Sequence, residues 1–235
     1  MNVIARVAIS ALLFPTLTGA QQPDHAVANV PTAEPARIAF QFEREGLPIP
    51  RFTLDVREDG AARYQAEQAA QSSSDSSVRG QSAQHIDRPL TVTSATTIKI
   101  FSAARALDRF NIACASKAKN IANTGSKTLS YTGPDGTGSC VYNYSENKNV
   151  LMLTDTFVGI ANTLDEGRRL DFLHRYDRLG LDAEMTFFAQ QIAEGRALEL
   201  ATITPTLIAI TEDTAVMERV RLRAAKMLEA AREGR

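Results

Sequence analysis

The chain has 235 residues, of which 44% are hydrophobic and 23% charged, and its formal net charge is −1. This balance is typical of a globular protein, because a disordered chain has fewer apolar residues and more net charge. The 26 basic and 27 acidic residues leave none of the basic excess that general nucleic-acid binders direct at phosphates. We therefore expect no nucleic-acid partner.

The first twenty residues have the layout of a secretory signal peptide. Arg6 supplies a positive charge, residues 7–14 are mostly apolar, and Thr18-Gly19-Ala20 supplies the small residues that a signal peptidase requires. The alternative is a buried N-terminal helix. The apolar run is shorter than the roughly 20 residues that span a bilayer. We expect cleavage after Ala20, a secreted or periplasmic location, and no stable membrane anchor after cleavage.

The two cysteines, Cys114 and Cys140, both follow the expected cleavage site. An even number of cysteines in an oxidising compartment predicts one disulfide bond. Two buried free thiols, or a reactive or metal-binding pair, are the alternatives. A disulfide closing a loop of this length should stabilise the fold by roughly 3–4 kcal/mol in the chain-entropy model.

Alternating apolar residues predict antiparallel strands after a polar, flexible leader at residues 21–35. The apolar side chains of the first two strands are Ile38, Phe40 and Phe42, then Phe52, Leu54 and Val56. Glu58-Asp59-Gly60 is a hairpin signal, and the chain returns through Tyr64. Residues 37–66 therefore predict a three-stranded meander.

The rest of the N-terminal part combines a loop, a helix and a second hairpin. The Gln- and Ser-rich stretch 65–84 predicts a disordered loop. A short strand at 89–93 precedes a helix at 95–110, which Ser94 should cap. The inward stripe expected for this helix is Ile98, Phe101, Ala104 and Leu107. Two strands flanking the turn-rich stretch 133–138 form the second hairpin.

Helical periodicity begins after residue 150. Gly167 is expected to break the first helix, Pro205 to begin a later one, and Asp213 to cap the last. The apolar stripe of that last helix is Val216, Val220, Ala224, Met227 and Leu228. We predict an α+β protein in which an antiparallel sheet with one packed helix, residues 36–150, precedes an all-helical segment, residues 151–235.

His174 is the one histidine of three that lies in a strongly structured stretch. Asp177 follows it at helical i, i+3 spacing, so the two could form a base with its orienting carboxylate. The stronger alternative is a surface salt-bridge cluster with Arg175 and Arg178. His174 and Asp177 are the candidate catalytic pair. No phosphate-binding loop, dinucleotide fingerprint or zinc-protease motif occurs, so we expect no cofactor and no metal site.

Two stretches are candidate binding surfaces. The hairpin beside the cysteines carries Tyr131, Tyr142 and Tyr144, and tyrosine offers contact area with a polar tip. The alternative is that these tyrosines only cover the sheet. The second stretch, rich in Arg and Asp, centres on Arg175 and Tyr176.

These features favour an exported, soluble, non-enzymatic binding or structural module of the periplasm or extracellular space. Its expected partner is a protein of the cell envelope. The alternative is a secreted hydrolase of unrecognised type that uses His174 and Asp177.

Overall fold

A computed structural model describes residues 34–70 and 83–233. The expected signal peptide, nearly all of the leader and most of the Gln- and Ser-rich loop lie outside the described residues. Within them, an antiparallel sheet in the N-terminal half is followed by helices, which confirms the α+β prediction.

The described residues form a six-stranded antiparallel sheet in the order β4-β3-β2-β1-β5-β6. Its strands are β1 (Arg37–Glu43), β2 (Arg51–Arg57), β3 (Ala61–Gln68), β4 (Gln84–Thr91), β5 (Ser126–Gly133) and β6 (Gly136–Tyr142). The predicted meander β1-β2-β3 and the predicted hairpin β5-β6 are both confirmed. They meet because β5 pairs with β1, which places β1 inside the sheet.

Alternation gives the sheet one apolar and one polar face. Phe40, Leu54 and Tyr64 lie side by side on β1, β2 and β3 and are fully buried. The opposite face is open and carries cross-strand ion pairs such as Arg37–Asp55 and Arg63–Asp87. The helices of the described residues therefore cover the apolar face alone.

The edge strand β4 is longer than predicted. Residues 65–68 extend β3 and residues 84–88 extend β4, so the ends of the expected disordered loop are paired strand. The polar composition hid this strand, because both of its faces are at least partly solvated at the sheet edge. Pro89 lies in β4, as proline tolerates only such edge positions well.

Helix α1 (Ser94–Ala106) crosses the apolar face, and of the four residues predicted to face inward Phe101, Ala104 and Leu107 are buried. Thr93, not Ser94, is the N-cap, and its side chain accepts a hydrogen bond from the Thr96 N–H. Ile98 is 66% exposed, whereas Ile100 and Phe101 are buried. The helical phase is therefore set by Ile100, which lies about 200° around the helix from Ile98.

The C-terminal half is helical, as predicted. Its helices are α2 (Lys148–Tyr176), α3 (Gly180–Ala193), α4 (Thr204–Glu212) and α5 (Glu218–Arg232). Two expectations are wrong: α2 continues through Gly167, and Met217 rather than Asp213 is the N-cap residue of α5. Glycine fits at position 167 because Ile203 packs against this turn of α2 and leaves no space for a side chain.

Two hydrophobic cores lie along α2. The first is formed by the sheet, α1 and α2 as far as Leu164, with Phe40 and Phe157 stacked 5.1 Å apart. The second begins at Leu170 and is formed with α3, α4 and α5, including the predicted α5 stripe. One continuous helix therefore contributes to both cores.

Cys114 and Cys140 form the predicted disulfide, and their Cα atoms are 5.8 Å apart. The bond joins the segment after α1 to the edge strand β6, and it is compatible with an oxidising compartment outside the cytoplasm. Of the helices within residues 34–70 and 83–233, none has both the length and the apolar character needed to cross a bilayer.

Candidate functional site

The structure separates His174 from the carboxylate expected to orient it. His174 lies in the last turns of α2, and its Nε2 is 2.9 Å from Oδ2 of Asp213, the residue after α4. Asp177 ends α2, and its Oδ1 accepts a hydrogen bond from the Gly180 N–H at 3.1 Å. Asp177 therefore stabilises the turn into α3. Asp213, not Asp177, is the carboxylate that contacts His174.

Asp213 is held in a set of favourable contacts. Its Oδ1 accepts the Ala215 N–H at 2.8 Å, and its Oδ2 is also 3.1 Å from the Arg178 guanidinium. The Ala215 N–H and then the His174 ring hold the pKa of Asp213 below its usual range. This geometry is that of an ion-pair cluster joining α2 to the α4–α5 connection. The described residues contain no group of three or more metal-ligating side chains.

Two of the three hairpin tyrosines point into the core. Tyr131 is buried, and its hydroxyl donates to Asp135 Oδ1 at 2.6 Å. Tyr142 is buried too, its hydroxyl lies 2.6 Å from Thr154 Oγ1, and burial raises its pKa to about 12. Of the three, Tyr144 alone is exposed. Of the predicted tyrosines, only Tyr144 could therefore take part in a contact surface on this hairpin.

The outer side of the hairpin turn carries a closed charge network. Arg105 binds Glu58 through two hydrogen bonds of 2.7 and 2.9 Å, and Asp135 lies within 3.3 Å of both Arg105 and Arg109. The Tyr131 hydroxyl, followed by these arginines, lowers the pKa of Asp135 to about 2. Because every charge in this network has an opposite partner, the network favours a structural role.

Next to this network, the backbone makes a strained left-handed turn. Asp108, Arg109 and Phe110 have φ of 48°, 56° and 70°, values uncommon outside glycine. The turn packs against Gly138, where an added Cβ would lie 2.7 Å from Asn111 Oδ1. Asn111 Nδ2 also donates to the Thr137 carbonyl of β6 at 3.1 Å. The strained turn and the disulfide together cover the β6 edge of the sheet.

The second predicted surface is exposed. Phe172 and Tyr176 lie one turn apart on α2, with ring centroids 5.1 Å apart, and are 46% and 74% exposed. Leu179, in the turn that follows, is 81% exposed. We refer to Phe172, Arg175, Tyr176 and Leu179 as the α2-end surface. It presents two aromatic rings and a leucine to solvent at the tip of the α2–α3 hairpin.

Arg175 gives this surface its charge. Its side chain is exposed, and no ion pair or hydrogen bond involves it within the described residues. Its neighbour Arg178 is instead paired with Asp213. The α2-end surface therefore joins an unneutralised guanidinium to an apolar patch.

The Arg- and Asp-rich sequence pattern predicted Arg175 and Tyr176 as surface residues, but it did not predict Phe172 and Leu179. The available signal was the i, i+4 spacing of Phe172 and Tyr176, which places both on one side of a helix. Leu170, on the opposite side, is fully buried. No protein-family model matches this chain, and no curated protein matches it.

Proposed function

We propose that this chain is an exported, non-enzymatic binding protein that contacts a protein partner through the α2-end surface. The observation that carries the proposal is the exposed Phe172–Tyr176 pair, followed by the exposed Leu179 in the next turn of the chain. Contiguous exposed apolar side chains mark interaction sites, and aromatic residues and arginine are enriched at protein interfaces. Packing does not account for these side chains, because they face solvent.

Export is part of the same proposal. The signal-peptide pattern of residues 1–20 predicts cleavage after Ala20, and the Cys114–Cys140 bond supports a compartment in which disulfides persist. N-terminal sequencing of the exported protein should therefore begin at Gln21. An intact Met1 on a cytosolic protein would contradict this part of the proposal.

The surface also defines the chemistry of its partner. Tyr176 and Phe172 require an apolar pocket, and Arg175 requires a carboxylate at its rim, because a guanidinium buried without a partner is costly. The proposed partner is therefore a protein of the cell envelope with an apolar depression beside an acidic side chain.

Site-specific photocrosslinking in the producing cells tests this function. A photoreactive residue at position 176 should give one discrete crosslinked species, and Arg175→Glu should abolish it by charge repulsion. A photoreactive residue at Leu222, which is 58% exposed on α5, is the matched control and should give no such species. Equal crosslinking from both positions, or no effect of Arg175→Glu, would refute the proposed surface.

The alternative hydrolase function would now use His174 with Asp213 in place of Asp177. The 2.9 Å contact between them is the arrangement that orients a histidine base. His174→Ala separates the two functions: loss of a measured hydrolytic activity in a folded variant would favour the enzyme, whereas unchanged crosslinking at position 176 would favour the binding protein.

A further inference from the structure

Between its two cores, α2 passes through a short ionisable stretch. The first core ends at Leu164 and the second begins at Leu170. Asp165, Glu166, Arg168 and Arg169 occupy the interval. Within this stretch Glu166 and Arg169 lie on the side that faces α3, so charge on these two residues can act on the packing of α3 against α2.

Two carboxyl groups meet at this position. Glu184 of α3 is buried, and its Oε2 lies 2.6 Å from Nε of Arg169. Glu166 lies one turn before Arg169 on α2, which places it on the side of the helix that faces Glu184, and its Oε2 is buried without a hydrogen-bond partner in the described part of the chain. Two carboxylates facing one guanidinium would leave an unbalanced negative charge. One proton on the pair removes that imbalance.

Burial, and then the neighbouring Glu184, raises the pKa of Glu166 to about 7. Arg169 opposes this rise, and Asp165 adds to it slightly. The geometry and the direction of the shift agree: the protonated form of the pair is the one that this site accommodates best.

The other charges nearby are engaged elsewhere. Asp165 accepts hydrogen bonds from Tyr64 on β3 at 3.0 Å and from Arg168 at 3.2 Å. On β4, Arg88 donates to the Thr202 carbonyl at 2.6 Å. The 3₁₀ helix at residues 200–203, which packs against α2, has no titratable side chain.

Two charges of α5 contact α3 at another residue. Arg219 and Arg223 bind Asp182 at 2.9 and 3.3 Å, two residues before Glu184 in the sequence. Arg169 is thus the one cation that contacts the pair in the described residues.

We propose that a proton on Glu166 bridges this carboxyl group to the Glu184 carboxylate and holds α3 against α2, so that the α2-end surface is ordered while Glu166 is protonated and loosens when Glu166 ionises. The proposal rests on the proposed function, because it describes regulation of the same surface. On ionisation the proton passes to solvent, and the second carboxylate then repels the first. The turn that carries Leu179 joins the two helices that would separate.

The sign follows from the direction of the shift. The folded-state pKa of Glu166 lies above its ordinary value, so the folded protein binds more protons than the unfolded chain at intermediate pH. The stabilisation of the α2–α3 contact is therefore complete at acidic pH and is lost as the pH rises toward about 7. Above that pH no further loss is expected from this pair.

Hydrogen–deuterium exchange of the exported protein between pH 5 and pH 8 tests the proton-dependent contact between α2 and α3 without knowledge of the partner. After correction for intrinsic exchange, the protection of α3 amides should fall about tenfold or more in the wild type. Glu166→Gln, which mimics the protonated form, should show no such fall. The matched control Asp171→Asn removes a carboxylate from the same helix and should behave as the wild type. Unchanged protection in the wild type, or an equal fall in Glu166→Gln, would overturn the proposal.

A second variant covers the case in which Glu166→Gln fails to fold. The Arg169 guanidinium lowers the pKa of Glu166, so Arg169→Gln should move the fall in protection to higher pH. A fall at unchanged pH would count against the shared proton.

Crosslinking from position 176 at pH 5.5 and pH 8 tests whether the proton-dependent α2–α3 contact controls partner binding at the α2-end surface. The regulation is supported if crosslinking of the wild type is stronger at pH 5.5 than at pH 8 and crosslinking of Glu166→Gln is the same at both pH values. If exchange falls with pH but crosslinking does not change, the regulation is refuted while the binding surface stands. If exchange falls but no crosslink forms at either pH, the proposed function fails and the proton-dependent contact remains.

Discussion

Replacing Gly167 by alanine tests how tightly the two halves of α2 are integrated with the fold. An alanine is favoured over glycine in a helix interior by about 1 kcal/mol, so an isolated helix would gain from the change. In this protein the new Cβ would lie 3.1 Å from Ile203 Cβ and well inside van der Waals contact of Ile203 Cγ2. Ile203 is fully buried and has no free space to move into.

A contact this close belongs to the upper part of the usual range for overpacking, about 2–3 kcal/mol, which exceeds the gain of ~1 kcal/mol in helix propensity. We therefore expect Gly167→Ala to lower the free energy of unfolding by roughly 1–2 kcal/mol. For a chain of this size the midpoint of thermal unfolding should fall by roughly 2–8 °C. Chemical denaturation with an unchanged m-value measures the loss directly.

The matched control is Gly159→Ala in the same helix. Its Cβ would lie 2.9 Å from Leu198 Cγ, but Leu198 is only partly buried and can turn aside. Gly159→Ala should therefore be less destabilising than Gly167→Ala. If Gly167→Ala is more stable than the wild type, the packing argument is wrong. In the double-mutant cycle, Ile203→Ala should cost less in the Gly167→Ala background than in the wild type.

Three further stability changes follow from the contacts. Replacing both Cys114 and Cys140 by serine should lower the free energy of unfolding by about 3 kcal/mol, measured by urea denaturation, and reductant should then have no further effect. Glu199→Ala should cost about 1–3 kcal/mol in the same assay, because the Glu199 carboxylate accepts hydrogen bonds from the Thr93 N–H and hydroxyl at 2.9 and 2.7 Å. Lys127→Met should cost a similar ~1–3 kcal/mol, since its ammonium satisfies buried carbonyl oxygens, and a neutral result would contradict this role.

The strands that could be predicted are those whose two faces differ in polarity. Phe40 and Leu54 alternate with polar residues, and the structure buries both. The first part of β4, residues 84–88, offers no such contrast, because Gln84 and Asp87 lie at an edge where pairing with β3 supplies the order. This part of the strand depends on a long-range partner, so local periodicity predicted only the part of β4 that begins at Pro89.

The same reasoning explains the errors in the helices. Gly167 resembles a helix breaker when only its own propensity is considered, and tertiary contact with Ile203 overrides that propensity. Ile98 fits an apolar stripe, but Ile100 fits the phase that the sheet accepts. In both cases the deciding contact comes from a distant part of the chain.

Candidate sites are harder to predict than helices and strands, because they depend even more on contacts between distant parts of the chain. His174 finds its carboxylate in Asp213, 39 residues away, rather than in Asp177 one turn away. Sequence spacing identifies neighbours on one helix, whereas titratable pairs form wherever packing brings two elements together. The α2-end surface was partly predictable because Arg175 and Tyr176 lie within one helical turn.

The continuity of α2 gives the two cores a common element. A helix that ended at Gly167 would leave Phe157 and Leu170 on separate elements, and each core could open without the other. Because one backbone carries both residues, loosening at the interval between the cores reaches α3 and its turn directly. The Glu166–Glu184 pair lies at that interval, where a single proton changes the balance of charge. A small electrostatic change there can therefore affect the distant tip at Tyr176 through the second core, to which α3 contributes Leu181, Met185 and Phe188.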